Sequence, residues 1–119
     1  MRILVCGGRD FVPSNSDIAF LRHYLTKPGV VLIHGDYRGA DRWADEFAKS
    51  LGLTPIPFHA DWTKHGKRAG PIRNQRMLDE GKPDLVLAFP GGSGTQDMIE
   101  RAEKAGVDVI EVGKDLPHF

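Results

Sequence analysis

The sequence has few features of secreted or membrane proteins. Its 119 residues contain a single cysteine, Cys6, so no internal disulfide can form. No apolar run approaches the ~20 residues that cross a bilayer, and no signal-peptide pattern opens the chain. Sixteen Lys plus Arg balance 16 Asp plus Glu, so long-range attraction to nucleic acid or anionic lipid is absent. We expect a cytoplasmic protein with one domain, residues 1–119, and no membrane partner.

Short apolar runs alternate with helical patterns along the chain. The runs predict strands at residues 2–6, 30–34, 54–58, 84–89 and 108–112. Four stripes of apolar residues at helical spacing lie between them. This alternation is typical of an α/β fold, with a parallel sheet covered by helices on both faces. Two prolines in the run at 54–58 remove hydrogen-bond donors, which predicts an edge strand.

The connections at the two ends of this predicted sheet differ in composition. Those that follow the carboxyl ends of the first four strands are rich in glycine and charged residues, at residues 7–11, 35–42, 59–76 and 90–95. The connections at the opposite end are short and plain. Because ligands of open parallel sheets bind at the carboxyl ends of the strands, this asymmetry predicts a binding site there.

The loop at residues 90–95, Pro-Gly-Gly-Ser-Gly-Thr, has the composition of a phosphate-binding loop. Its glycines let backbone amides approach a ligand, and its hydroxyls open a predicted helix whose free N–H groups attract anions. The alternative is a glycine turn with Thr95 as the helix N-cap. The segment matches neither G-x-x-x-x-G-K-[ST] nor G-x-G-x-x-G, which disfavours a Walker-type NTPase.

The loop at residues 35–42 repeats this composition. Gly35 and Gly39 are flexible, and Arg38 is a candidate bidentate clamp for a phosphate. The next helix is predicted to start near residue 40 or 41. Asp41 then either caps that helix or accepts a ribose hydroxyl, and the sequence leaves both readings open.

The first and third loops carry further charged candidates. In the first, Arg9 and Asp10 either form a local ion pair or place Asp10 against a sugar. In the third, Arg73 is predicted at a helix start, from which it would point to the same pocket as residues 90–95. Trp62 either stacks on a base or anchors the long loop, and the anchor is the favoured reading.

Metal and thiol chemistry find little support. The histidines on the site side, His34, His59 and His65, have no tight spacing with cysteine or carboxylate pairs, so we expect no metal and no cofactor. Cys6 near a strand end fits a small buried apolar residue better than a nucleophile, because no partner base can be assigned.

Four motifs in order give the chain a family resemblance. They are VCGGRDF, IHGDYRGADRWADEFA, HADWTKHGKRAGPIRNQRML and DLVLAFPGGSGTQDMIERA. Together they resemble the SLOG superfamily, most closely its YspA-type branch, which is related to circularly permuted YpsA. The resemblance implies a Rossmann-like three-layer sandwich with a five-stranded, mainly parallel sheet. It also implies a pocket for a nucleotide or a nucleotide-derived ligand, and the superfamily often forms dimers, so a homodimer or higher oligomer is an expected state.

A more distant similarity, to the LOG-type phosphoribohydrolases, bears on catalysis. These enzymes cleave the N-glycosidic bond of nucleoside monophosphates, and their P-G-G-x-G-T-x-x-E and R-K-x-x-M motifs are partly matched here. Arg73 and Met77 match the second motif, but Asn74 stands at its lysine position and Met98 at the catalytic glutamate position. A methionine cannot stabilise an oxocarbenium-like transition state, so this chemistry is disfavoured.

The leading hypothesis is therefore a module that binds, and senses or sequesters, a nucleoside monophosphate, an ADP-ribose type molecule or a related ligand. The alternatives are an N-glycosidic hydrolase, with Arg73, Asp97 or Asp41 as catalytic residues, and a nucleic-acid-binding protein. The last is disfavoured by the neutral charge, although the superfamily is distantly linked to the DNA-uptake protein DprA. The predicted ligand-binding residues are Gly7, Gly8, Arg9, Asp10, His34, Gly35, Arg38, Gly39, Ala40, Asp41, Arg73, Asn74, Pro90, Gly91, Gly92, Ser93, Gly94 and Thr95.

Overall fold

The computed structural model of the protein describes residues 1–113 and has an α/β architecture in which strands and helices largely alternate. The end of the predicted domain, residues 114–119, lies outside the described residues. In chain order the elements are β1 (Arg2–Cys6), α1 (Asn15–Leu25), β2 (Val31–His34), α2 (Ala40–Ser50), β3 (Ile56–Pro57), α3 (Trp62–His65), a 3₁₀ turn (Gly66–Arg68), α4 (Ala69–Asp79), β4 (Leu85–Ala88), α5 (Ser93–Lys104) and β5 (Asp108–Glu111).

The five strands form one sheet in the order β3-β2-β1-β4-β5, and every neighbouring pair is parallel. The predicted fold class is thus confirmed, and "mainly parallel" becomes entirely parallel. The strand order reverses between β1 and β4, because β2 and β3 lie on one side of β1 whereas β4 and β5 lie on the other. In such sheets this reversal opens a crevice at the carboxyl ends of the strands.

The strands alternate their side chains between two hydrophobic layers. Ile3 and Val5 of β1 pack with α1 and α2 on one face, whereas Leu4 and Cys6 pack with α4 and α5 on the other. Because both faces are covered, β1 and β4 are apolar along almost their whole length. The helices on the two faces and the sheet between them form the predicted three-layer sandwich.

The edge strand β3 is shorter than predicted. Residues 54–58 were expected to be extended, but only Ile56–Pro57 pair with β2. Pro55 and Pro57 have no N–H to donate, so the pairing is limited, and the Phe58 N–H to the His34 carbonyl (2.8 Å) closes it. Its edge position is confirmed. No helix among residues 1–113 has the length and apolar character needed to cross a membrane.

Candidate functional site at the carboxyl end of the sheet

The buried polar and charged side chains of residues 1–113 gather at one end of the sheet. Each is less than one-tenth exposed. They are His34, Asp41, Arg73, Asn74 and Thr95. His34 is the last residue of β2, and the other four lie on helices that begin at, or reach, the carboxyl ends of the strands. All five belong to the predicted ligand-binding set. Burying polar groups is costly unless they are paired, so this concentration at one place marks a candidate site.

Arg73 is the cation at the centre of this cluster. Its Nη1 donates to the Gly35 carbonyl at 2.6 Å, and its Nε donates to the Asn74 side-chain oxygen at 3.1 Å. Burial lowers the pKa of the guanidinium, and the nearby Asp41 carboxylate opposes this shift. A Cβ on Gly35 would lie 2.8 Å from the guanidinium, so the loop after β2 passes directly over the charge.

The predicted position of Arg73 at a helix start is wrong. α4 begins four residues earlier, at Ala69, directly after the 3₁₀ turn that follows α3. Pro71 is the third residue of α4, where proline is tolerated because its missing N–H has no intrahelical partner. Arg73 therefore lies one turn inside α4 and reaches the loop after β2 through its side chain.

Asn74 joins this cluster to the first turn of α5. Its Nδ2 donates to the Gly94 carbonyl (3.2 Å) and to the Asp97 carboxylate (3.0 Å). Asp97 also accepts from Arg101 Nε at 2.8 Å. Asp97, one of the catalytic candidates, is thus already held by two donors between α4 and α5.

Asp41 is the buried carboxylic acid of the cluster. It is the second residue of α2, and the N-cap is Gly39, so the interpretation of Asp41 as the cap is wrong. Its Oδ2 accepts the Tyr37 N–H at 3.2 Å. Burial raises the pKa of Asp41 from 3.8 to about 6, against the opposing effects of Arg73, His34 and the backbone donors. The structure therefore contains an acid that exchanges its proton near neutral pH.

The raised pKa of Asp41 gives a testable dependence of stability on pH. The folded state holds the Asp41 proton up to a pH of about 6, whereas the unfolded state releases it near 3.8. This contribution is complete below 3.8 and is lost as the pH rises through 6, which amounts to about 2–3 kcal/mol. In urea unfolding, the stability of Asp41→Asn relative to wild type should rise by that amount between pH 3.5 and 7. A constant difference across this range would contradict the buried titration.

His34 stabilises the loop after β2 through a hydrogen bond from the loop's backbone. The ring is fully buried, Nδ1 accepts the Asp36 N–H at 2.9 Å, and Nε2 donates to the Asp45 carboxylate at 2.8 Å. Both ring nitrogens are thereby occupied, so His34 acts on the loop through Asp36. The Asp36 backbone has φ of 52°, a left-handed conformation uncommon outside glycine, and its carboxylate lies 2.6 Å from His59 Nδ1.

Sequence reasoning missed the roles of Asp36 and Asp45. A signal for Asp36 was present, because Gly-Asp directly after a buried strand is a frequent turn dipeptide. Asp45 gave no comparable signal, since an acidic residue in a helix usually faces water. Its contact with His34 depends on how α2 packs on the sheet.

The three glycine-rich loops are bonded to one another. Gly8 donates its N–H to the Pro90 carbonyl (2.9 Å), and its carbonyl accepts the Ala40 N–H (3.2 Å). Gly7 is close-packed, because a Cβ there would lie 2.6 Å from the Ala40 Cβ. A Cβ on Gly91 would lie 2.6 Å from the Gly8 nitrogen. Part of the glycine content thus serves loop packing, and it brings the starts of α2 and α5 to either side of the loop after β1.

The helices differ at their N-termini. In α1, Ser14 and Asp17 form a full capping box. In α2 and α5 the N-caps are Gly39 and Gly92, and no side chain caps either helix. The alternative that Thr95 is an N-cap is therefore wrong, because it is the third residue of α5 and is buried. In α2 the Gly8 and Tyr37 carbonyls accept the Ala40 and Arg42 N–H groups, and the acidic Asp41 lies in the first turn. It is therefore the N-terminus of α5, with no side-chain cap and no acidic residue in its first turn, that suits an anion.

The remaining predicted residues lie at the surface around this cluster. Arg9 and Asp10 form an exposed ion pair at 3.9 Å, a separation that contributes little stability. Arg38 is exposed, with no salt bridge inside residues 1–113. The backbone of the loop after β4 is exposed as well, at Pro90, Gly91, Gly92, Ser93 and Gly94. The predicted residues therefore share one end of the molecule, in a buried and an exposed layer.

Cys6 and Met98 lie in the apolar layer beneath the site. Burial raises the pKa of the Cys6 thiol far above its ordinary value, which makes it a poor nucleophile. Met98 is fully buried among core residues of α4, α5 and the sheet. Over residues 1–113 there is no group of three His, Cys, Asp or Glu side chains arranged to hold a metal ion.

A groove of about 870 Å³ lies elsewhere, on the outer faces of α4 and α5. Its lining includes Gln75, Glu100 and Arg101, which are surface side chains engaged in helix-surface hydrogen bonds. The groove meets the buried cluster through Asp97, which accepts from Asn74 and from Arg101. The buried charges and the uncapped N-terminus of α5 place the candidate site at the carboxyl end of the sheet instead.

Comparison with known proteins identifies the family. A family model described as YAcAr, the "YspA, cpYpsA-related SLOG family", matches residues 1–65. Over 121 residues, the chain is 44% identical to the Gene 61 protein of Mycobacterium phage D29, covering 94% of this chain and 96% of the phage protein. The chain belongs to the YspA, cpYpsA-related SLOG family.

The fold of this SLOG protein also has a solved counterpart. The X-ray structure of TM1055 superimposes with a TM-score of 0.66 and covers 91% of this chain and 71% of its own, at 21% sequence identity. The likeness supports the Rossmann-like fold. SLOG membership points to a nucleotide-related function in general terms.

Proposed function

We propose that this SLOG protein binds a nucleotide or a nucleotide-derived ligand, such as a nucleoside monophosphate or an ADP-ribose type molecule, and senses or sequesters it. The observation that carries the proposal is the buried Arg73, which is linked through Asn74 to the uncapped N-terminus of α5 beside the topological switch point between β1 and β4. A buried guanidinium and free backbone N–H groups are the donors that phosphate oxygens require.

The phosphate is proposed to lie at the first turn of α5. The N–H groups of Ser93 and Gly94 have no acceptor within residues 1–113, and they open a helix whose dipole favours negative charge. Asn74 fixes this turn to α4 through the Gly94 carbonyl. Arg38 and Arg9, both exposed, supply further positive charge at the rim.

A thermal-shift panel tests the proposal. Nucleoside monophosphates, NAD, ADP-ribose and cyclic dinucleotides are each added in steps up to millimolar concentration. A ligand at a hundredfold excess over its Kd stabilises the native state by about 2.7 kcal/mol, a shift in Tm on the order of 10 °C. At least one member of the panel should shift Tm, and chromatography should recover it intact. A panel in which no compound shifts Tm would contradict the proposal.

One observation favours N-glycosidic hydrolysis as a second candidate function. Asp41, with its pKa of about 6, is a suitable general acid beside a buried cation. Against it, Met98 occupies the glutamate position of the LOG-type motif from within the core, and Asp97 is engaged by Asn74 and Arg101. Release of free base at high enzyme concentration, abolished in Asp41→Asn, would favour hydrolysis over binding.

A further inference from the structure

Two exposed aromatic side chains meet at the rim of the candidate site. Tyr37 is 37% exposed and Trp62 49%, whereas the other Phe, Tyr and Trp side chains of residues 1–113 are buried or half-buried. The ring centroids lie 6.2 Å apart at an angle of 43°. The two residues come from separate segments, the loop after β2 and the start of α3. About half of the Trp62 surface remains open to solvent despite this contact.

The aromatic pair adjoins the buried charges. Trp62 lies over the first turn of α4, where its Cη2 is 3.4 Å from the position a Cβ on Gly70 would take. The Arg73 Nη2 is 4.0 Å from that same point, so the Trp62 Cη2 and the Arg73 Nη2 are at most 7.4 Å apart (3.4 plus 4.0). Tyr37 is joined to the cluster through its own N–H, which Asp41 accepts.

The spacing across the sheet suits one ligand that reaches from the aromatic pair to α5. The loop with Tyr37 follows β2, and the first turn of α5 follows β4, with β1 between these strands. β2 and β4 are two strand spacings apart, or about 10 Å. Arg73 lies between the two, bonded to Gly35 on one side and to Asn74 on the other.

We propose that Tyr37 and Trp62 form a stacking platform for the base of the bound nucleotide, with its phosphate toward Arg73 and the first turn of α5. The inference rests on the proposed function, and it specifies that the aromatic pair binds the base of the ligand. Every nucleobase has a π-face, so such a platform selects for the presence of a base and tolerates its identity. A loop anchor that merely shields two rings from water would make no such selection.

The test compares ligands that differ only in carrying a base. Calorimetry measures the Kd of AMP, GMP, CMP and UMP against that of ribose 5-phosphate, for wild type, Trp62→Ala and Trp62→Phe. Wild type should bind the tightest monophosphate at least about 5-fold more tightly than ribose 5-phosphate. Trp62→Ala should weaken monophosphate binding about 5- to 150-fold and leave ribose 5-phosphate unchanged, while Trp62→Phe keeps most of the preference. Leu51→Ala, exposed at the opposite end of α2, is the control.

Fluorescence gives a second measurement on the same ring. The chain has two tryptophans, so Trp43→Phe leaves Trp62 as the only one. Monophosphates should quench its emission, and ribose 5-phosphate should not.

Three results would overturn the platform. Equal affinities of wild type for monophosphates and ribose 5-phosphate, or equal weakening of both by Trp62→Ala, would reject it and leave the proposed function standing. If none of the five compounds binds and the wider panel also fails, the proposed function is rejected and the platform with it.

Discussion

Replacing Arg73 with methionine is expected to weaken nucleotide binding more than 100-fold and to lower the free energy of unfolding by about 3 kcal/mol. The binding loss follows because the guanidinium is the buried cation of the site, and bonds between a cation and phosphate are among the strongest polar contacts. The stability loss follows because the Gly35 carbonyl loses its 2.6 Å donor and Asp41 loses a compensating charge. Calorimetry and urea unfolding measure the two effects separately.

The double variant Arg73→Met with Asp41→Asn separates binding from folding. Removing the uncompensated carboxylate should recover part of the stability, but the binding loss should remain. Arg76→Met is the matched control on the same helix, because the Arg76 side chain is half-exposed and lies at the surface against Glu80 and the face of Phe58. It should cost less than about 0.5 kcal/mol and leave binding unchanged. A folded double variant that binds as tightly as wild type would refute the assignment of Arg73.

Gly39→Ala should lower the free energy of unfolding by about 4 kcal/mol relative to wild type, more than any other single substitution in the site loops. Gly39 has φ of 87°, which L-residues rarely adopt, and this conformation alone costs about 1–3 kcal/mol. Its Cβ would also press on the Gly8 carbonyl and lie 2.6 Å from the Arg9 carbonyl carbon. Backbone atoms cannot rotate away, so the loops after β1 and β2 must separate, which adds about 1–3 kcal/mol.

Gly29→Ala is the matched control for Gly39→Ala. Gly29 also has positive φ, 70°, but a Cβ there would meet nothing within 4 Å. Its substitution should therefore cost only the conformational strain, about 1–3 kcal/mol. Denaturant unfolding of both variants checks the difference. Equal destabilisation would show that the contact between the two loops adds nothing to the backbone term.

The fold was largely predictable because the sheet buries both faces. A strand covered on both sides is apolar along nearly its whole length, as β4 is and as β1 is after Arg2, and its flanking helices carry apolar stripes. These patterns are local and survive in the sequence. The edge strand was predicted to be longer than it is. It has two prolines and a single neighbouring strand, so its length depends on tertiary contacts.

The end of the sheet that carries the candidate site was also predictable, but which of its charged side chains are buried was not. The composition of the loops indicated which end of the sheet carries it. Sequence could not separate the buried Arg73 from the exposed Arg38, since both are arginines near a glycine-rich segment. Their difference arises from the course of α4, whose true start at Ala69 carries Arg73 inward beneath Gly35.

Sequence by itself determined the order of the five strands, the apolar layers and the end of the sheet where charged and glycine residues collect. These follow from periodicity and composition, which are properties of neighbouring residues. Sequence did not predict α3, the 3₁₀ turn or the first residues of α4, which lie inside the predicted loop at residues 59–76. Tertiary structure alone decided that Asp41 is buried beside Arg73, that His34 is held by Asp45, and that Tyr37 meets Trp62. Each of these depends on packing between segments distant in sequence or on burial of a helix face, so its energetics are set by the folded molecule.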